Sequence, residues 1–192
     1  MFRLKTSTIT TLAQPTVDDG FVSWLDIEAE WSRDGEVDAI VGNARIALIY
    51  VGEANNYGQS IYDVLDTDSA QLEALYEVFF EGPWLKEAFA NGGGADVLYF
   101  DNVATAPAFR NRGIEEALAQ RVIEVWGQGC GIAVMPVGDE GEVAQWGRVG
   151  FTVARAPEAG SHGYCVADLS LSRPRVREVD GEDRFLPEPE AN

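Results

Sequence analysis

The most sharply patterned stretch of the chain runs from Val97 to Gln128. It opens on the apolar run Val97-Leu98-Tyr99-Phe100 and continues through Val103 to Thr105, a composition that reads as a strand. After Ala106-Pro107-Ala108-Phe109 and Arg110-Asn111-Arg112-Gly113 the period changes. Ile114, Ala117, Leu118, Val122, Val125 and Trp126 fall mostly three and four apart, which marks one apolar face of a helix. Gly127 and Gly129 stop it. A strand, a basic turn and a helix start are therefore contiguous.

Upstream, residues 1–19 show no clear period, and Pro15 to Gly20 reads as a loop. From Phe21 to Trp31 the residues Phe21, Leu25, Ile27, Ala29 and Trp31 alternate with Asp26, Glu28 and Glu30, which predicts a strand. Arg33 to Glu36 is a turn, and Val37 to Val51 returns as the second arm of an antiparallel hairpin. Gly52 to Gln59 reads as a loop. Asp66 to Ser69 opens a helix, capped by Asp68 or Ser69, whose apolar face is Leu72, Leu75, Tyr76, Phe79 and Phe80 and which Gly82-Pro83 ends. Trp84 to Ala90 is a second helical piece, and Asn91 to Gly94 connects it to the central strand.

Downstream, Cys130 to Val137 is a strand, Gly138 to Gly141 a loop and Glu142 to Val149 a short helix. Thr152 to Ala154 and Tyr164 to Leu171 read as two final strands around Pro157 to Gly163. From Ser172 onward Pro174, Pro187 and Pro189 lie among charges, so residues 173–192 are expected to form a polar, mobile or draped tail behind a single domain spanning 1–172.

Composition narrows the partners. At 192 residues and 46% hydrophobic content the chain can bury a proper core, but its net charge is −18. Lys5 and Lys86 are its only lysines, and the other cations are arginines. Such acidity argues against a nucleic-acid backbone or an anionic membrane, and it suits a cationic partner such as an amine. Solubility or salt adaptation is the simpler explanation of that acidity. Cys130 and Cys165 make neither a disulfide framework nor a metal site, and no metal is expected. Buried free thiols fit a cytoplasmic setting. Thr6 to Gln14 is too polar for a signal-peptide core, and no apolar run approaches the ~20 residues of a membrane helix.

The basic turn carries the chemistry. The first N–H groups of a helix lack partners within it, and the helix dipole makes that end positive. Arg110 and Arg112 with Gly113 at such an end offer a seat for a phosphate. The order Pro107-x-Phe109-Arg110-x-x-Gly113-Ile114 after a strand resembles the acetyl-CoA signature of the GNAT N-acetyltransferase superfamily, and Gly150-Phe151 resembles that family's later Gly-Phe. The likeness covers roughly Val97 to Leu171. It implies an α/β (α+β) fold with a mixed, mostly antiparallel central sheet flanked by helices. It implies acetyl-CoA as co-substrate, its pantetheine held by the amides of Val103, Ala104 and Thr105. The pyrophosphate would be held by Arg110, Asn111, Arg112, Gly113, Ile114 and Glu115.

The departures bear on catalysis. Glu115 stands where the family carries a small residue, Trp146 where it often has a tyrosine acid, and Gly131 to Val137 brings no polar side chain. Asp101, beside Asn102 on the central strand, is a candidate base for an amine proton, or a strand-end residue. Tyr164 is a candidate replacement acid, or a packing residue. His162 reads as an exposed loop residue or one that overhangs the acceptor site, Asp139 as a loop or cap residue and Trp146 as core. Two functions follow from the resemblance: an acetyl-CoA-dependent N-acetyltransferase acting by direct transfer on a small-molecule or peptide amine, or a catalytically degenerate binding module. A homodimer is left open.

Overall fold

The computed structural model describes residues 2–7, 20–33, 36–90, 94–158, 160–171, 173, 175–179 and 184–188. The elements follow in chain order as β1 (Phe2–Ser7), β2 (Val22–Arg33), β3 (Glu36–Ile49), α1 (Val51–Asn56), α2 (Ile61–Asp68) and α3 (Ala70–Phe79). Next come β4 (Phe80–Glu81), β5 (Trp84–Leu85), β6 (Asp96–Thr105), α4 (Ile114–Trp126), β7 (Cys130–Val137) and α5 (Glu140–Gly147). The chain closes with β8 (Thr152–Arg155), β9 (Gly163–Asp168), β10 (Val176–Val179) and β11 (Arg184–Pro187). The central sheet has the order β1-β2-β3-β6-β7-β9-β8. Its neighbours are antiparallel except β6 and β7, which α4 joins as a parallel pair. This is the mixed, mostly antiparallel α/β architecture expected from the sequence.

The sheet is covered on both faces, which is why β6 reads as an unbroken apolar run. Leu98 and Phe100 face one way, into a core with Ile46, Leu118, Val122 and Phe151. Val97 and Tyr99 face the other, with Ile49, Leu65, Leu75 and Phe79. Trp146 lies in the first core, as expected. Gly42 sits under α4, where a Cβ would meet the Ala104 carbonyl oxygen at 2.9 Å. Its bareness lets the helix lie close to the sheet.

Several expectations need correcting. Residues 2–7 form an edge strand, paired to β2. Gly52 to Gln59 is not a loop throughout: Val51–Asn56 is helical, with Val51 and Ala54 buried. No side chain caps it locally; instead Gly52 N–H donates to Asp96 Oδ1, 44 residues away, at 3.0 Å. A tertiary partner thus outweighs poor local propensity. Asp66 to Asp68 ends α2 rather than opening a helix, and Ser69 alone caps α3, accepting Leu72 N–H at 3.3 Å. Phe80 lies beyond that helix, in a two-residue ladder whose turn holds Gly82 and Pro83. Trp84 to Ala90 is strand β5 followed by a 3-10 turn at Glu87–Phe89. Helix α5 starts two residues early, at Glu140. The C-terminal segment has more to bury than its prolines suggest. Strands β10 and β11 pair as a hairpin, and Val176 and Phe185 pack against the first core. The turn at 34–35 and the connector at 91–93 lie outside the described residues.

Candidate active site

Strand β6 does two things along its length. Its first four residues, Asp96 to Tyr99, pair with β7 between Cys130 and Val134. Beyond Tyr99 that pairing stops, while β7 continues to Val137 against β9. On its other side β6 stays paired to β3 as far as Thr105. One edge of residues 101–105 therefore opens into the gap between β6 and β7. A bulge marks the transition: Ile46 faces Phe100 and Arg45 faces Asn102, so Asp101 is the extra residue. The strand's inward amides are fixed by its period of two. Thr105 N–H points away from β3, donating to Glu115 Oε1 at 3.1 Å, and Val103 is in phase with it.

The turn that follows is built for close approach. Asn111 (φ 62°) and Gly113 (φ 72°) are both left-handed. Gly113 caps α4 without any side-chain hydrogen bond. The site's second wall is the tail hairpin. Phe185 N–H donates to the Arg112 carbonyl at 2.6 Å, and a Cβ on Gly113 would collide with the Phe185 carbonyl oxygen. A trans peptide points its C=O and N–H in opposite directions, so with the Arg112 carbonyl turned to β11, the Gly113 N–H is turned away from it. Between these elements lies a cavity of about 310 Å³, lined among others by Thr105, Asn111, Gly113, Gln145, Arg148 and Arg184.

The charges there are not laid out as the sequence suggests. Ile114 is buried in the core, while the Glu115 carboxylate is held between Thr105 N–H and Gln145 Nε2, the latter at 2.7 Å. Glu116 is buried and paired with Arg148 Nη2 at 2.6 Å. Arg112 lays its guanidinium over the Phe109 ring, 5.1 Å from the centroid. Arg110 is exposed and, among the described residues, ion-pairs with none. The two sequence-chosen arginines thus stand on the rim, and Arg148 and Arg184 are the cations lining the cavity. No local pattern marks either, since their place depends on α5 and on the hairpin.

The two candidate catalytic residues lie on the sheet face away from α4. Asp101 approaches Arg45 Nε at 3.9 Å, and Arg45 in turn lies 4.7 Å over the Trp24 ring. Tyr164 is buried against Phe79, with the Arg155 guanidinium 5.1 Å over its ring. Burial raises the Tyr164 pKa, an effect the nearby Arg155 partly offsets. Burial raises Tyr99 further, and the charges of Asp101 and Tyr164 add to it, so both candidates lie within electrostatic reach of that ring. Next to Asp101, an open cavity of about 530 Å³ is lined by Asp26, Glu28, Asn43, Arg45 and Asn102 among others, with neither Asp101 nor Tyr164 in its lining. His162 is exposed, lending only its carbonyl to Arg155. Asp139 caps α5 by accepting Glu142 N–H at 2.9 Å. Among the described residues no group of three or more His, Cys, Asp or Glu could hold a metal, and no helix is long and apolar enough to cross a membrane.

No family model and no curated protein sequence matches the chain. Solved structures do. Arabidopsis thaliana NAA60 in complex with acetyl-CoA matches at 15% identity over 78% of this chain and 77% of that one, with a TM-score of 0.45. A mutant of agmatine N-acetyltransferase in its apo form matches at 12% identity, 74% and 73% coverage and a TM-score of 0.43. The ribosomal-protein-S18-alanine N-acetyltransferase from Escherichia coli matches at 12% identity, 88% and 96% coverage and a TM-score of 0.43. At such scores the likeness is loose, and the chemistry of the site rests on its own geometry.

Proposed function

We propose that the protein binds acetyl-CoA in the gap between β6 and β7 and at the start of α4, and transfers the acetyl group directly to a primary amine. The observation that carries this reading is the parting of β6 from β7 immediately before the uncapped, glycine-led start of α4. That geometry aligns an open strand edge, whose Thr105 amide is held by Glu115 at 3.1 Å, with a positive helix end. A thioester with an amide-containing arm and a pyrophosphate needs both, in that order.

When bound, acetyl-CoA supplies an acetyl group activated as a thioester. The chain's contribution is positioning and proton management. Val103 and Thr105 N–H would orient the arm and polarise a carbonyl, with Ala104 between them. The turn Arg110 to Gly113 and the first amides of α4, at Ile114 and Glu115, would hold the phosphates, with Arg148 and Arg184 beside them. Asp101, half-buried on the sheet face away from α4 with Arg45 Nε 3.9 Å away, would accept the proton that the amine sheds. Tyr164 keeps its proton through the neutral range, so its role would be that of donor and not of base. A cationic acceptor, whether a small molecule or a peptide amine, would meet Asp26 in the neighbouring cavity, where Glu28 is already paired with Lys5 at 2.8 Å. The free thiols Cys130 and Cys165 support a cytoplasmic setting.

Calorimetry with acetyl-CoA tests the first step. Measurable binding followed by thiol release with polyamines, amino acids or lysine peptides is the expected result. Binding without release for any acceptor would assign the non-catalytic module instead. No heat at millimolar ligand would remove acetyl-CoA from the reading.

A further inference from the structure

The amide that ends β6 is already occupied. Thr105 N–H is the inward donor nearest the helix start, and its acceptor is the Glu115 carboxylate at 3.1 Å. The second oxygen of that carboxylate accepts from Gln145 Nε2 at 2.7 Å. One side chain in the first turn of α4 is thereby tied to β6 and to α5. Such charge-assisted bonds are stronger than neutral ones, and an anion at this end of a helix is favoured by the dipole. Glu115 thus satisfies the two features of the corner that an incoming nucleotide would use: a strand-edge amide and a positive helix end. Its neighbour cannot do the same, since Glu116 is buried and committed to Arg148.

We infer that Glu115 and Gln145 form a latch that holds the cofactor corner shut until a ligand displaces the carboxylate. The inference rests on the acetyl-CoA reading above. The latch gives Glu115 a purpose that mere repulsion of phosphate does not. A glutamate pointing to solvent would only weaken binding, whereas one seated on Thr105 makes admission conditional on its release. Displacement frees Thr105 N–H for the ligand and moves the charge outward, so closing and binding exclude one another.

The two substitutions separate the latch from simple charge. Gln145→Ala removes the hook and leaves the charge, and alanine suits a helical position. Glu115→Gln removes the charge. In titrations with acetyl-CoA, Gln145→Ala should bind roughly threefold tighter than the unsubstituted protein and Glu115→Gln roughly tenfold tighter. The Thr105 amide resonance of the unsubstituted protein should shift on adding the ligand, a reading independent of how either variant folds. Unchanged or weaker binding by Gln145→Ala, or a Thr105 amide unmoved with ligand bound, overturns the latch and leaves the acetyl-CoA reading intact. Absence of binding in all three proteins overturns both.

Discussion

The two halves of β6 differ in what their neighbours leave them to do. Val97 to Phe100 is paired to β3 and Asp96 to Tyr99 to β7, with Val97 through Phe100 buried. Asp101 to Thr105 is paired on one side only, and its side chains range from exposed to buried. The same strand is thus a structural spine for one half and an open edge for the other, divided by the bulge at Asp101. The difference teaches where stability and function can be separated in this chain. Substitutions before the bulge should cost folding, and substitutions after it should cost ligand.

The sharpest way to break that contrast is to compare Phe100→Ala with Asn102→Ala. Phe100 is fully buried, its ring edge-on to Phe151 at 6.4 Å. Its truncation should cost about 3–5 kcal/mol, whereas an exposed position such as Asn102 should cost about 0.5 kcal/mol or less. Urea unfolding of the two variants measures both. Equal losses would mean that the outer half is as structural as the inner.

Gly113→Ala comes next, because it touches folding and site together. A left-handed alanine is strained, and its Cβ meets the Phe185 carbonyl, so β11 must shift from the turn. A loss of about 1–3 kcal/mol is expected, together with weakened acetyl-CoA binding. A variant that melts and binds as the parent does would show that hairpin and turn are not coupled.

How much of this was readable in the sequence follows the same division. Helix α4 was read to the residue, from Ile114 to Trp126, and β7 likewise from Cys130 to Val137, because their periods are set by burial against one sheet. The left-handed backbone of Gly113 was not, since a residue that precedes a helix is usually extended. Helix α1 was not, since its first amide is satisfied by Asp96 from the other side of a 44-residue gap. Nor was the hairpin, whose docking brings Phe185 against Phe2 with ring centroids 4.9 Å apart. Within the site, Gln145, Arg148 and Arg184 were missed for that reason: each reaches the cavity from an element whose docking no local pattern encodes. Glu115 was singled out, but its partners Thr105 and Gln145 belong to two other elements.

The arginine pair tests the outer half alone. Arg110 is exposed and Arg112 packs only its guanidinium over Phe109. Replacing both by alanine should weaken acetyl-CoA tenfold or more, about 1.4 kcal/mol, with little change in unfolding free energy. If the loss is absent, the phosphates are carried by Arg148 and Arg184, and single alanine variants of those two should then show it.

The smallest effect concerns the far face, and it appears only in alkali. The pKa of Tyr164 is raised by burial above its ordinary value of 10.0. A raised folded pKa means that the unfolded chain loses its proton first. The stabilising contribution is therefore complete below about pH 10, and it drains away as pH climbs through the folded value. Tyr164→Phe has no proton to lose, so its stability should fall less steeply above pH 10, by at most about 1.4 kcal/mol per pH unit relative to the parent. Tyr99, shifted the same way, should keep some slope in the variant. The comparison at neutral pH separates the two roles open to this residue. A packing tyrosine replaced by phenylalanine should leave acetyl transfer intact, whereas loss of a proton donor should lower kcat with the affinity for acetyl-CoA unchanged.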